Sequence, residues 1–173
     1  MRAKPGQFVN IWVPGVDEKP MSIAFDDGKE YTLSIAAIGG MTKELAKKRV
    51  GDYIGIRGPY GTHFSWKRGQ RIAMLAGGYG AGPLYFAASQ AVAQNCHVDF
   101  FLGARSRAHL LFAKKIKALP RTRFFPSTDD GSAGFKGTNV ECWLREMARA
   151  RYNLVMACGP ELMMKAVSDI AWK

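Results

Sequence analysis

A run of small residues, mostly glycine, separates two apolar segments near the middle of the chain. It reads, in order, Gly77, Gly78, Tyr79, Gly80, Ala81, Gly82 and Pro83. Glycines let a backbone turn tightly and let a pyrophosphate approach the main-chain amides. When such a turn opens a helix, the positive end of the helix dipole also favours an anion. The run therefore predicts a phosphate-binding loop between a strand and a helix, with a plain tight turn as the alternative.

This run departs from the standard dinucleotide fingerprint in two ways. Pro83 occupies the place where a third glycine is expected, and the next apolar segment is followed by Arg105 and Arg107 rather than by an acidic residue. Arginines at that point could pair with a 2′-phosphate, which would favour NADP. Asp129 and Asp130 could instead bind ribose hydroxyls, or form a turn that needs no ligand. The residues alone leave NAD and NADP open.

A second candidate segment is formed by Cys158, Gly159 and Pro160, which follow the last apolar strand-like stretch of the chain. In open α/β folds, ligands bind beyond the carboxyl ends of the strands, and this segment would lie there. A buried, inert thiol is the alternative. Because no candidate base is close in sequence, we interpret Cys158 as a packing and positioning residue rather than a nucleophile.

The strongest candidate metal ligands are three cysteines and three histidines, namely Cys96, Cys142, Cys158, His63, His97 and His109. None of the cysteines forms a C-x-x-C pair, and an odd number argues against a disulfide framework. The histidines are not spaced as metal ligands either. The sequence thus predicts no metal or iron–sulfur site built from its own residues, and it favours a reducing cytoplasm.

The composition bounds the class of protein. The chain has 173 residues, of which 47% are hydrophobic and 23% charged, as in ordinary globular proteins. Its formal net charge of +11 favours anionic partners or simply a solvated surface, and the basic residues are not interleaved with aromatics as in nucleic-acid binders. No apolar run approaches the roughly 18 residues that span a bilayer, and no signal peptide is predicted.

Periodicity divides the chain into two kinds of structure. The first third reads as β-strands at residues 7–13, 21–25, 31–35 and 53–57, with a helix starting at Thr42. Later strands are predicted at residues 72–76, 98–102, 123–126 and 154–157. Helices are predicted between and after them, at residues 83–94, 108–119, 139–150 and 160–172. This alternation predicts βαβ units and a parallel sheet.

We therefore predict a fold with two parts. Residues 1–68 form an antiparallel β-barrel module, and residues 69–173 form a doubly wound, parallel-sheet α/β domain that binds a nucleotide. The first part has too few strands to close a barrel of about six, so the barrel is expected to be incomplete. The chain also begins abruptly, as a fragment or a truncated homologue would.

The order and spacing of six segments resemble the ferredoxin-reductase-like flavoprotein family. The segments lie at residues 5–9, 19–23, 39–42, 58–61, 77–83 and 157–164. Within the family, the resemblance is greatest to electron-transfer subunits of NAD-linked dihydroorotate dehydrogenases. It implies a β-barrel that binds FAD, followed by a domain that binds NAD. It also favours NAD over NADP.

The resemblance implies roles for residues on both sides of the predicted boundary. The flavin would be lined by Lys19, Pro20, Met21, Ser22 and Ile23, and the FAD pyrophosphate would be bound by Gly39, Gly40, Met41 and Thr42. Lys19 stands where arginine is usual, and it lacks the bidentate fork of arginine for a phosphate. Cys158 would lie near the nicotinamide ring. The glycine run, Gly159 and Pro160 would bind the same cofactor.

The function that the resemblance implies is electron transfer. A partner dehydrogenase that oxidises dihydroorotate in pyrimidine synthesis would exchange electrons with NAD through FAD and a [2Fe–2S] cluster. The cluster ligands lie in a cysteine-rich segment that this chain lacks. The resemblance also implies a heterotetramer with the catalytic subunit, without nucleic-acid or membrane partners. The alternatives are a reductase subunit of a hydrogenase or of a sulfide- or ferredoxin-linked NAD(P) oxidoreductase, and a nucleotide-binding regulatory module without redox chemistry.

Overall fold

A four-stranded antiparallel sheet and one short helix make up the first part of the chain. The computed structural model describes residues 2–172. The elements of this part are β1 (Phe8–Val13), β2 (Asp17–Asp26), β3 (Tyr31–Leu33), α1 (Gly40–Ala46) and β4 (Gly55–Tyr60). The strand order is β3-β2-β1-β4. The long strand β2 begins before Pro20 and continues through it. The antiparallel β1–β2 ladder, in which Pro20 lies opposite Asn10, accommodates this proline.

The second part is a parallel sheet covered by helices. Its elements are β5 (Arg71–Gly77), α2 (Ala81–Ala93), β6 (His97–Ala104), α3 (Ala113–Lys117), β7 (Thr122–Thr128), β8 (Phe135–Lys136), α4 (Asn139–Met147), β9 (Leu154–Cys158) and α5 (Glu161–Ala171). The strand order is β8-β7-β6-β5-β9, and all four pairings are parallel. The carboxyl ends of these strands therefore meet at one edge of the sheet.

The central strand β5 is buried on both faces, as its unbroken apolar sequence predicts. Ile72, Met74 and Ala76 pack with α2 in one hydrophobic cluster. Ala73 and Leu75 point the other way and pack into the cluster that contains Trp143 and Val167, from α4 and α5. Helices thus cover both faces of the sheet, which confirms the predicted doubly wound architecture.

Helix α2 joins the two parts of the molecule. Phe86 on α2 is buried in the core of the antiparallel sheet, with Val9, Ile11 and Ile23. Its ring lies 5.7 Å from the ring of Phe25 on β2, in an edge-to-face arrangement. One helix thus contributes to both cores, and this fixes the antiparallel sheet relative to the start of the parallel sheet.

The structure differs from the prediction at two places in the second part. The helix expected over residues 108–119 is interrupted, because Phe112 adopts a left-handed conformation with φ 58°. Only Ala113–Lys117 is α-helical, preceded by a 3₁₀ turn at Arg107–His109. The ring of Phe112 stacks on Tyr85 at 5.4 Å. The short strand β8 was not predicted, since two residues carry no detectable periodicity.

The predicted domain boundary between residues 68 and 69 stays a prediction. In the structure, Tyr60 ends the antiparallel sheet and Arg71 begins the parallel one. Within residues 2–172, none of the helices has the length and apolar character that crossing a membrane requires.

Candidate functional site

A cleft of about 860 Å³ opens at the carboxyl edge of the parallel sheet. Its walls come from the turn after β5, the ends of β6 and β7, the N-terminus of α4 and the first turns of α5. Six of the predicted site residues line it, namely Gly77, Gly78, Tyr79, Arg105, Asp129 and Pro160. Residues far apart in the sequence are thus brought together where ligands bind in open α/β folds.

The other predicted members of the glycine run are buried behind the cleft wall. A Cβ at Gly80 would lie 2.0 Å from the carbonyl oxygen of Cys158, and a Cβ at Gly82 would lie 3.0 Å from the Cβ of Ala24. Pro83 is buried in the first turn of α2. These three positions let α2 approach β9 and β2 closely, whereas Gly77 and Gly78 form the turn that faces the cleft.

Cys158 ends β9, where it pairs with Ala76 across the sheet. Its side chain is half-buried and packs against the hydrophobic cluster around α2. Within the part of the chain that the structure describes, Cys158 is not one of the residues that line the cleft. Burial raises the pKa of its thiol. This placement agrees with a packing residue. Gly159 packs against the turn after β5, with its added Cβ only 2.9 Å from the Gly77 nitrogen.

The four predicted charged residues separate into two pairs. Arg105 and Asp129 line the cleft. Arg107 and Asp130 are held by the neighbouring turn instead. The Arg107 amide donates to the Ser132 hydroxyl at 2.8 Å, and the Ser132 amide donates to the Asp130 carboxylate at 2.9 Å. Hydrogen bonds from Ser132 lower the pKa of Asp130.

Several cleft residues were missed from the sequence, among them His109 and Asn139. His109 was considered only as a metal ligand, yet it lines the cleft, with its Nδ1 2.9 Å from the Ser106 hydroxyl. Asn139 is the first residue of α4, and it is nearly buried. The Thr138–Glu141 capping pattern predicts the start of this helix but not which residues face the ligand.

A second cavity of about 600 Å³ lies between β2 and α1. Lys19, Pro20 and Met21 form one side, and Gly39, Gly40, Met41 and Thr42 form the other, so the structure brings together two segments predicted to bind FAD. The remaining two predicted residues lie elsewhere. Ser22 is exposed outside the lining, and Ile23 is fully buried in the core of the antiparallel sheet.

Some of the polar groups around this second cavity already have hydrogen-bond or ion-pair partners within the chain. The Thr42 hydroxyl accepts from the amides of Ile38 at 3.1 Å and Gly39 at 3.0 Å and donates to the Gly39 carbonyl at 3.1 Å, so its donor is already used within the loop. The first intrahelical bond of α1 runs from the Lys43 amide to the Gly39 carbonyl, which leaves the first-turn amides outside that ladder. Lys19 pairs with Asp17 at 2.7 Å on the exposed rim.

The two cavities adjoin at Ile38. This residue precedes α1, its side chain is 78% exposed, and it lines both the cavity beside β2 and the cleft of the parallel sheet. A ligand in one cavity therefore lies next to a ligand in the other. Among residues 2–172, no cluster of three His, Cys, Asp or Glu side chains is arranged to hold a metal ion.

Comparison with known proteins identifies the class. Residues 74–169 match the family described as the oxidoreductase NAD-binding domain, and the chain belongs to that family. Among curated relatives, it is 40% identical over 97% of its length to the probable dihydroorotate dehydrogenase B (NAD⁺) electron transfer subunit of Methanocaldococcus jannaschii. It is 39% identical, over 96%, to the protein of the same description from Thermococcus kodakarensis. These relatives confirm the resemblance drawn from the six sequence segments.

The chain spans 63% of the length of the Methanocaldococcus relative and 67% of the Thermococcus one. Solved structures agree on the fold. The structure of an NADH-dependent reduced ferredoxin-NADP oxidoreductase, described for flavin-based electron bifurcation, matches with a TM-score of 0.86 and 28% identity, over 99% of this chain and 63% of that one. A flavohemoglobin from Malassezia yamatoensis shares the fold at a TM-score of 0.74 and 18% identity, over 96% of this chain and 47% of that one.

Proposed function

We propose that this chain holds FAD and NAD(H) side by side and transfers electrons between them, as part of the electron-transfer subunit of a dihydroorotate dehydrogenase. The observation that carries this proposal is the junction of the two cavities at Ile38. Hydride transfer needs the reacting rings in contact, and two adjoining cavities would allow the rings of their ligands to meet. The names of the curated relatives support the dehydrogenase assignment.

The residues beside β2 fit an FAD. Gly40 has open space around it, since a Cβ there would meet no atom within 4 Å, and its amide stands in the first turn of α1. Main-chain amides and the Lys19 ammonium would bind the pyrophosphate, while Pro20 and Met21 offer apolar contact to the flavin. The flavin supplies the chemistry, because it accepts a hydride and can release electrons singly. The flavohemoglobin that shares this fold has FAD bound.

The cleft of the parallel sheet would take NAD(H). Gly77 and Gly78 line it at a glycine turn, which a pyrophosphate can approach closely. Asp129 stands in its wall and would accept hydrogen bonds from ribose hydroxyls, whereas it would repel a 2′-phosphate. Arg105 in the same wall would favour that phosphate, and we assign the preference to NAD on the names of the relatives.

The partner and the iron–sulfur centre belong to the same proposal. A subunit that transfers electrons needs a catalytic dehydrogenase subunit, and we propose a heterotetramer of the two in the cytoplasm. A [2Fe–2S] cluster would be bound outside residues 2–172, since these residues form no group of three His, Cys, Asp or Glu side chains that could hold a metal ion. The three cysteines of this chain are free and are buried or half-buried.

The test is to purify the chain, add FAD, remove unbound flavin and record the absorbance. A retained flavin spectrum that NADH bleaches without oxygen is expected. A protein that stays colourless would defeat the proposal, and one that binds NADH without flavin would be a nucleotide-binding regulatory module. The variant Lys19→Glu should weaken FAD retention, whereas the matched exposed variant Lys29→Glu, outside the cavity, should not.

A second candidate follows from the ferredoxin-NADP oxidoreductase structure, which is 28% identical over nearly the whole chain. The chain would then belong to a ferredoxin- or hydrogenase-linked complex. Reduction of the bound flavin separates the two functions. In the complete complex, which includes the iron–sulfur segment, dihydroorotate should bleach the flavin in the first case, and reduced ferredoxin should do so in the second.

A further inference from the structure

A nearly buried amide forms part of the floor of the dinucleotide cleft. Asn139 is only 3% exposed, yet it is one of the residues that line the cleft. It is the first residue of α4, after the Thr138 cap. A buried amide normally satisfies its donors and its acceptor, so the partners of this side chain decide what it does.

The donor side of the amide is fully used. Nδ2 of Asn139 donates to the carbonyl oxygen of Ala76 at 2.9 Å and to Sδ of Met163 at 3.2 Å. These contacts fix the orientation of the amide, because the flipped form would set two acceptor oxygens against each other. In the part of the chain that the structure describes, no group donates a hydrogen bond to Oδ1 of Asn139.

The free oxygen lies between the ends of two central strands. A Cβ at Gly103, the penultimate residue of β6, would stand 3.3 Å from Oδ1 of Asn139, and Gly103 itself lines the cleft. On the β5 side, Ala76 directly precedes Gly77, where the turn toward the pyrophosphate begins. The amide therefore lies at the carboxyl ends of β5 and β6, beside the turn at Gly77, where Gly103 has no side chain to separate it from the cleft.

We propose that Oδ1 of Asn139 accepts a hydrogen bond from a ribose hydroxyl of the dinucleotide, which makes Asn139 a ligand-binding residue of this cleft. The proposal rests on the proposed NAD(H) binding. Phosphate oxygens are acceptors and cannot satisfy this oxygen. The two riboses are bonded directly to the pyrophosphate, whereas the amino groups of adenine and nicotinamide lie at the far ends. A ribose hydroxyl is thus the nearest donor.

The test compares NAD with deoxy analogues that each lack one ribose hydroxyl, using calorimetric dissociation constants for the FAD-loaded chain. The wild-type chain should bind one analogue about tenfold more weakly than NAD. Asn139→Ala should bind NAD about tenfold more weakly than wild type, but should bind that analogue as weakly as wild type does.

A purely structural role gives a different pattern. Leu162→Ala, which removes an apolar side chain from the same cleft, should weaken NAD and every analogue by the same factor. If Asn139→Ala behaves like that control, or if the wild-type chain binds every analogue as well as NAD, the inference is wrong. A wild-type chain that binds no NAD would overturn the proposed function together with it, and so is distinguished from failure of the inference alone.

Discussion

Gly80 lies against the backbone of Cys158, so closely that a Cβ there would stand 2.0 Å from the Cys158 carbonyl oxygen. This contact brings the first turn of α2 onto the end of β9, the strand beside β5. The glycine turn toward the cleft and the Cys158–Pro160 segment are therefore one packed unit. Gly80 matters for packing, since its φ of −60° is available to any residue.

Gly80→Ala should destabilise the chain by about 2–3 kcal/mol, because the added methyl group meets backbone that cannot rotate away. Gly78→Ala is the matched control. Gly78 has a φ of +53° and open space around it, so alanine there should cost only about 1 kcal/mol of backbone strain. Urea unfolding of both variants measures the difference. A Gly80→Ala chain that is as stable as Gly78→Ala would show that β9 moves to accommodate the methyl group.

A buried carboxylate ties together the amino ends of four strands. Asp99 on β6 is 2% exposed and accepts hydrogen bonds from Arg123 at 2.6 and 2.7 Å, from Arg71 at 3.0 Å and from Tyr152 at 2.8 Å. Burial alone would raise the pKa of Asp99, but these hydrogen bonds outweigh it and hold the pKa below 3.8. The stabilisation is therefore present above about pH 4 and is lost as the pH falls through the lowered pKa.

Asp99→Asn should lower the free energy of unfolding by about 2–3 kcal/mol at pH 7, a moderate figure because both arginines are partly exposed. The loss should shrink only as the pH falls through the lowered pKa of Asp99, where the wild-type carboxylate becomes protonated. Thermal melts from neutral to strongly acidic pH measure this. Asp169→Asn removes an exposed helix pair with Lys165 and should change stability by about 0.5 kcal/mol or less. Equal losses of stability in Asp99→Asn and Asp169→Asn would contradict the stabilising role given to the buried Asp99 carboxylate.

The architecture was predictable because the sequence has strong periodicity where burial is strong. Residues 72–76 form an unbroken apolar run, and the structure buries them on both faces of the sheet. Phe112 was unpredictable in physical terms. Its left-handed conformation is stabilised by stacking on Tyr85, which is 27 residues earlier in the chain, and no local pattern reports such a contact.

The candidate site was predictable at its glycine turn. Gly77 and Gly78 were singled out as a turn that a phosphate can approach closely, and both line the cleft. Gly80 and Gly82 look the same in sequence, yet they serve packing against Cys158 and Ala24. Asn139 was missed because its role depends on the ends of β5 and β6, which come near it only in the folded chain.

Asp129 should set the preference between the two nicotinamide cofactors. It lines the cleft at the end of β7, where its carboxylate would repel a 2′-phosphate. Asp129→Ser should therefore improve the binding of NADPH relative to NADH by about tenfold, which corresponds to removing one like-charge contact of about 1.4 kcal/mol. Titration of each variant with both cofactors, followed by fluorescence, gives the ratio.

Asp130→Ser is the control for that prediction. Its carboxylate points to Ser132 and lies outside the cleft lining, so the ratio of the two affinities should stay as in the wild-type chain. An unchanged ratio in Asp129→Ser would place the 2′-hydroxyl elsewhere. A loss of NADPH binding in Arg105→Ala, measured in parallel, would show which residue faces the 2′ position.

The thiol of Cys158 should be inert although it ends the strand at the cleft edge. Burial raises its pKa, so the thiolate is scarce at neutral pH and its share increases only in alkaline solution. Cys96 and Cys142 are buried as well. Iodoacetamide at pH 7 should therefore modify all three cysteines of the native chain slowly, and rapidly only in denaturant. Intact-mass spectrometry measures the rate.

Cys158→Ser should bind NADH within about threefold of wild type, since the thiol packs away from the cleft. Rapid alkylation of Cys158 at pH 7 that abolishes NADH binding would instead make it a reactive residue at the nicotinamide.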